Sequence, residues 1–310
     1  MGKIAFLFPG QGSQVQGMGR EFYEGSSQAR ELFDRADAAL GFEISRICFE
    51  GPEDKLRLTQ YTQPALLAVS FIAYTLLGRE PDLAAGHSLG EYSALAAAGA
   101  LGFEDALRTV HRRGKYMQEA VPVGVGAMAA LIGTDMETVR ESLGRVKSGI
   151  VEVANWNSQE QIVIAGHKEA VAEAGGLIKP LRNIELPVSA PFHTSLMKSA
   201  EERLAADLDQ LEFRDPRFPV ITNVDAVKAR RAEEVRDALK RQVSRPVLWL
   251  QSMDVLNAEN IAVCVEMGSG RVLGGLLKRI SRSWTRAPQI LNVENWETLE
   301  MARKTLSGPL

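Results

Sequence analysis

The chain has 310 residues, 45% of them hydrophobic, which is enough to bury a full core, and at ~150 residues per domain the length allows one large domain or two unequal ones. With 36 Lys plus Arg against 39 Asp plus Glu the formal charge is −3, and no long run of one sign appears, which argues against an extended nucleic-acid or anionic-membrane surface. The two cysteines, Cys48 and Cys264, lie in apolar surroundings and read as reduced core thiols; no Cys/His ligand set suggests a metal, and the longest apolar stretch, Ala65 to Leu77, is too short to span a bilayer. A cytoplasmic protein is expected.

Short β-like runs alternate with helical segments. Lys3 to Phe8 reads as a strand, Gln28 to Leu40 and Pro64 to Leu77 as helices, Leu83 to His87 as a strand, with a helix from Leu89 and another over Phe103 to Val121. Between Gly126 and Ser189 the order becomes strand, helix, strand, strand, helix, strand, the βαββαβ pattern of a ferredoxin-like unit. From Ser195 the first rhythm resumes: a helix to Leu211, a strand over Phe218 to Val224, a helix over Ala232 to Val243, a strand over Ile261 to Glu266 and a helix over Gly270 to Ile280. The predicted fold is α/β: an α/β-hydrolase-like large domain with a parallel sheet, built from 1–125 and 190–310, and a ferredoxin-like subdomain inserted at 126–189.

Gly86-His87-Ser88-Leu89-Gly90 is a G-x-S-x-G at the end of an apolar strand and the start of an Ala-rich helix, the context of a nucleophile elbow. A helix N-cap is the plainer role for Ser88, but the strand and helix around it favour the elbow. A serine nucleophile needs a base, and the chain has only four histidines. His87 adjoins the serine and more readily supports the turn, His111 lies off the apolar stripe of its helix and should face solvent, and His167 stands at a predicted helix start. His193, in the turn Pro191-Phe192-His193 before a helix, remains. No acidic residue announces itself as the third member; a backbone carbonyl at the end of the helix near Gln242 can orient the imidazole instead. Arg113 falls on the apolar face formed by Ala106, Val110, Met117 and Ala120, so it either pairs with a structural acid or clamps a substrate carboxylate. Gly10, Gly12 and Gly17 do not make the dinucleotide fingerprint, so the glycine-rich loop after the first strand fits an oxyanion loop better.

The stretches FPGQGSQ (Phe8 to Gln14), TQPALL (Thr62 to Leu67), GHSLGEYSAL (Gly86 to Leu95), RGKYMQEA (Arg113 to Ala120), GAMAALIG (Gly126 to Gly133), NSQEQIVIAG (Asn157 to Gly166), PFHTSLM (Pro191 to Met197) and RQVSRPVLW (Arg241 to Trp249) run nearly the whole length of the chain. In these the sequence resembles the malonyl-CoA:acyl carrier protein transacylase family of fatty acid synthesis. The resemblance implies that Ser88 carries the acyl group, His193 is general base then acid, and the Gln242 carbonyl orients His193. It implies further that the amides of Gln11 and Leu89 form the oxyanion hole and that Arg113, with Met117 and Phe192, binds substrate. Phe192 resembles the malonyl-selecting form of this loop in polyketide acyltransferases, where a smaller residue accompanies methylmalonyl. The implied reaction moves malonyl from malonyl-CoA to acyl carrier protein with no bound cofactor, in a monomer. The rival readings are a stand-alone acyltransferase of a polyketide synthase, a serine thioesterase, and a non-catalytic docking module. Lys278, Arg279, Arg282 and Arg286 are candidates for a basic rim facing an acidic carrier protein.

Overall fold

The structure is a computed structural model that describes residues 2–188 and 190–308. In chain order the elements begin with β1 (Lys3–Phe8), α1 (Arg20–Gly25), α2 (Ser27–Leu40), α3 (Ile44–Glu50), α4 (Glu53–Arg57), α5 (Thr59–Leu77), β2 (Leu83–Gly86), α6 (Leu89–Ala97) and α7 (Phe103–Glu119). The middle of the chain forms β3 (Gly126–Ile132), α8 (Met136–Leu143), β4 (Val151–Ser158), β5 (Gln161–His167), α9 (Lys168–Ile178) and β6 (Arg182–Glu185). There follow α10 (Lys198–Asp209), β7 (Val220–Ile221), β8 (Lys228–Ala229), α11 (Ala232–Gln242), α12 (Trp249–Ala258), β9 (Ile261–Met267), α13 (Val272–Ile280), β10 (Gln289–Val293) and α14 (Trp296–Ser307).

Two sheets organise these elements. One has six strands in the order β10-β9-β1-β2-β7-β8, parallel except for the β7–β8 pair; the other has four antiparallel strands in the order β4-β5-β3-β6. Strand β1 shows why the larger sheet is covered on both faces. Its alternate residues Ile4, Phe6 and Phe8 enter one apolar core and Ala5 and Leu7 another, and a strand buried on both sides must be apolar throughout. In β3 the same alternation sends Met128 and Ala130 toward the main core and Ala127, Ala129 and Leu131 toward a third core under α8 and α9. The smaller sheet is tied to the segment between α11 and α12, where Val247 bridges Asn155, with Trp156 N donating to Val247 O at 2.9 Å and Val247 N to Ala154 O at 2.9 Å. Among the described residues no helix is long and apolar enough to cross a membrane, and no group of three or more His, Cys, Asp or Glu is placed to hold a metal ion.

Four expectations need correction. Helix α5 starts at Thr59, so Pro64 lies inside it rather than at its start. A proline there leaves the carbonyl four residues back, that of Gln60, without its helical donor. His111 supplies the replacement, its Nδ1 lying 2.7 Å from Gln60 O, and its ring packs against Phe42 and Tyr61, so it is half-buried rather than solvent-facing. The strand expected over Phe218 to Val224 shrinks to Val220–Ile221, because the chain turns back through Thr222 to Val227, where Thr222 N donates to Val227 O at 2.9 Å. The strand expected to reach Ser189 ends at Glu185; Ser189 itself lies outside the described residues.

Candidate active site

Strands β1 and β2 are parallel neighbours with Phe8 opposite Gly86, so the loops leaving their C-terminal ends meet. Ser88 sits between β2 and α6 with φ 53° and ψ −107°, a left-handed conformation that costs a non-glycine residue about 1–3 kcal/mol. The turn is possible because its neighbours lack side chains. A Cβ on Gly86 would stand 1.9 Å from Gly90 O, and one on Gly90 would stand 1.9 Å from Phe8 O. Asn223, just after β7, holds both sides of the turn: its Oδ1 accepts from Ser88 N at 2.7 Å and its Nδ2 donates to Gly86 O at 2.7 Å.

His193 Nε2 lies 2.7 Å from Ser88 Oγ, and its Nδ1 lies 2.9 Å from the carbonyl oxygen of Gln242, the last residue of α11. That carbonyl can only accept, which places the ring proton on Nδ1 and leaves Nε2 free to accept from the Ser88 hydroxyl. Burial, and next the charge of Arg113, depress the His193 pKa to about 3, so the imidazole is neutral at physiological pH. His193 is itself left-handed, φ 61°, and is 3% exposed.

Arg113 is 1% exposed and reaches the same serine. Its Nη2 donates to Ser88 Oγ at 3.1 Å and to Gln242 Oε1 at 2.8 Å, and its Nη1 to Gln63 Oε1 at 2.9 Å, while the guanidinium lies 5.5 Å from the centre of the Tyr92 ring. Three of five donors are thus used, and Nε has no partner. Among the described residues no carboxylate is hydrogen-bonded to this buried cation.

A cavity of about 110 Å³ opens at Ser88, lined by Gln11, His87, Met128, Asn155, Leu186, Val188, Phe192 and His193. At ~30 Å³ per water in the liquid it has room for a small acyl group of a few heavy atoms. The loop after β1 is pressed onto the elbow, since a Cβ on Gly10 would meet His87 O at 2.4 Å, and this brings Gln11 to the cavity. Leu89 is the first residue of α6, so its amide has no intrahelical acceptor. A neutral serine–histidine pair beside the free Leu89 amide and a buried cation with no carboxylate bonded to it suits acyl transfer.

A family model described as acyl transferase domain matches residues 5–296. The chain belongs to the acyl transferase family. It is 45% identical, over 99% of its length and 98% of the other protein's, to the malonyl CoA-acyl carrier protein transacylase of Bacillus subtilis. Among solved structures, the malonyl CoA-acyl carrier protein transacylase of Coxiella burnetii superposes with a TM-score of 0.95 at 40% identity, covering 99% of this chain and 98% of that one. A malonyl-transacylase solved with a type II polyketide acyl-carrier protein gives 0.94 at 41% identity, covering 98% and 99%.

Within this acyltransferase the predicted site residues fall into two sets. Ser88, His193, Gln242, Arg113, Gln11, Leu89 and Phe192 converge on the elbow or its cavity. Met117 does not line the cavity; it is buried, and its Sδ accepts from Gln63 Nε2 at 3.7 Å. His87 lines the cavity, with Nε2 2.9 Å from Asn157 Oδ1 and its ring against Trp249, and His167 Nδ1 accepts from Ile150 N at 3.0 Å. Sequence reading missed Glu91, Asn223 and Gln63. Glu91 had a signal, the single charged side chain of α6, one turn after the serine; Asn223 and Gln63 had none beyond polarity.

Proposed function

We propose that the enzyme transfers a malonyl group from malonyl-CoA to the phosphopantetheine thiol of acyl carrier protein through a malonyl ester on Ser88, supplying fatty acid biosynthesis. Ser88 Oγ attacks the thioester carbonyl while His193 Nε2 takes its proton, and the oxyanion rests on the amides of Gln11 and Leu89. When the tetrahedral adduct collapses, the C–S bond breaks and His193 returns the proton to the coenzyme A sulfur. The carrier thiol then gives its proton to His193 and attacks the malonyl ester. The Ser88–acyl bond breaks, and the proton goes back to Ser88 Oγ. The Gln242 carbonyl keeps Nδ1 protonated throughout, as the acid of a serine triad would. Arg113 binds the malonyl carboxylate, and Phe192 bounds the acyl pocket.

The observation that carries this reading is Arg113, a buried cation beside the nucleophile with unused donors and no carboxylate partner in the described residues. A hydrolase of neutral esters has no use for it. Steady-state transfer from malonyl-CoA to phosphopantetheinylated carrier protein, with both substrates varied, tests the proposal: parallel double-reciprocal lines are expected, whereas malonyl-CoA hydrolysis equally fast without the carrier would contradict it.

We further propose that 1–125 with 190–310 forms an α/β-hydrolase-like unit and 126–189 a ferredoxin-like one; the elbow at the end of β2 supports the first, and the strand order β4-β5-β3-β6 with two helices supports the second. The exposed Lys278, Arg279, Arg282 and Arg286 are proposed to face the carrier; Lys278 and Arg282 line a groove of about 630 Å³. A cytoplasmic monomer completes the proposal, the buried free thiols of Cys48 and Cys264 supporting a reducing compartment.

A further inference from the structure

Glu91 stands one turn beyond Ser88 on α6, in a helix whose residues are all buried, and is itself 1% exposed. No lysine or arginine among the described residues is hydrogen-bonded to it. Its Oε2 instead accepts two bonds, from Asn223 N at 3.0 Å and from Gln242 Nε2 at 2.8 Å. A buried carboxylate held only by neutral donors is costly, so a role beyond packing is indicated.

The bond to Gln242 decides which way that amide points. With Nε2 directed at Glu91 and at Ser88 O, 2.9 Å away, the amide oxygen has to face Arg113, where it accepts from Nη2 at 2.8 Å. Turning the amide over would oppose its oxygen to the Glu91 oxygen and its NH₂ to the guanidinium, two mismatches at once. Gln63 Oε1 holds the other arm of the guanidinium at 2.9 Å. Arg113 is therefore aimed at Ser88 by two neutral oxygens, and the Glu91 carboxylate bonds Gln242 rather than the guanidinium.

We propose that Glu91 is a positioning residue for acyl-group selection, which acts through the Gln242 side chain to aim Arg113 at the acyl site while leaving the Arg113 charge available to a substrate carboxylate. This rests on the assignment of Arg113 to the malonyl carboxylate. Burial pushes the Glu91 carboxyl up to about 7, and the carbonyl oxygen of its protonated form accepts the same two bonds. What the arrangement requires of residue 91 is an acceptor oxygen at that reach rather than a full charge.

Two substitutions separate reach from charge. Glu91→Gln keeps an oxygen at the same reach and removes the charge; Glu91→Asp keeps the charge and stops one methylene short. The experiment measures kcat/KM for malonyl-CoA and for acetyl-CoA on the full chain, wild type and both variants. Glu91→Asp is expected to lower the malonyl value about tenfold, mainly through KM, with the acetyl value within about threefold, while Glu91→Gln holds the malonyl-to-acetyl ratio within about twofold of wild type. If Glu91→Asp does not fold, Glu91→Ala, which leaves room for water, takes its place. Equal losses for the two acyl groups would reduce Glu91 to a structural role, and a ratio lost in Glu91→Gln but kept in Glu91→Asp would make charge the determinant; either result overturns the proposal. The wild-type arm separates the two claims, since a wild type with no malonyl preference fails the Arg113 assignment itself.

Discussion

Replacing Arg113 with alanine removes five N–H donors from a buried site and leaves Gln63 Oε1 and Gln242 Oε1 without their donor. The second loss falls on stability, at about 1 kcal/mol for each orphaned oxygen, and appears in thermal unfolding. The first falls on the substrate. A hydrogen bond to a charged group contributes about 1.5–3 kcal/mol, and about 1.4 kcal/mol is a factor of ten, so malonyl kcat/KM is expected to fall roughly 10- to 150-fold. Acetyl lacks the carboxylate and should lose far less. The assay is acyl transfer from each thioester by wild type, Arg113→Ala and Arg113→Lys; the lysine variant keeps a point charge without the fork and is expected between the other two. A malonyl-to-acetyl ratio unchanged in Arg113→Ala would refute the reasoning.

The remaining predictions concern backbone, titration and cap. Gly90→Ala is expected to cost more than about 4 kcal/mol and to abolish soluble active protein, because its Cβ would lie 1.9 Å from Phe8 O; near-normal melting would show that the elbow tolerates displacement. Gly275→Ala, in α13 with nothing within 4 Å of the added Cβ, is expected to raise stability by about 0.5–1 kcal/mol in urea unfolding, and a loss there would contradict the space the fold leaves. With the His193 pKa held near 3, malonyl-enzyme formation should show no acid limb at the ordinary histidine value of 6.5; half-loss of rate at about pH 6.5 would mean a histidine titrating unperturbed. Glu266 accepts from Leu273 N and Gly274 N at the start of α13, and burial raises its carboxyl to about 7 from 4.5. The folded state therefore binds the proton more tightly than the unfolded chain, and this contribution is lost as pH rises through about 7. Relative to Glu266→Gln, wild-type stability should decline by up to about 3 kcal/mol between about pH 4.5 and 8, and parallel pH profiles would refute the assignment.

Much of the site was legible because its geometry leaves marks on residue type. The close approaches at Gly86 and Gly90 forbid side chains, and an arginine among Val110 and Met117 is conspicuous on an apolar face. His193 emerged by elimination among four histidines. The same logic misplaced His111, since its partner is a carbonyl freed by Pro64 in another helix, a contact that periodicity cannot reveal. Glu91, Gln63 and Asn223 act through side-chain bonds across α5, α6 and the loop after β7, and only the assembled fold brings those segments together. In the fold, the alternation of strands and helices gave the α/β class. Helix α12, strand β10 and helix α14 escaped notice; α12 and α14 carry weaker apolar patterning than α7 or α13, and β10 is only five residues long.

The most direct test of the central claim is the intact mass of the protein after brief exposure to malonyl-CoA, with Ser88→Ala alongside, followed by addition of phosphopantetheinylated carrier protein. The account predicts a single malonyl adduct that is absent from Ser88→Ala and is discharged onto the carrier faster than water removes it. An adduct that persists in Ser88→Ala, or one that water clears as fast as the carrier does, would contradict it.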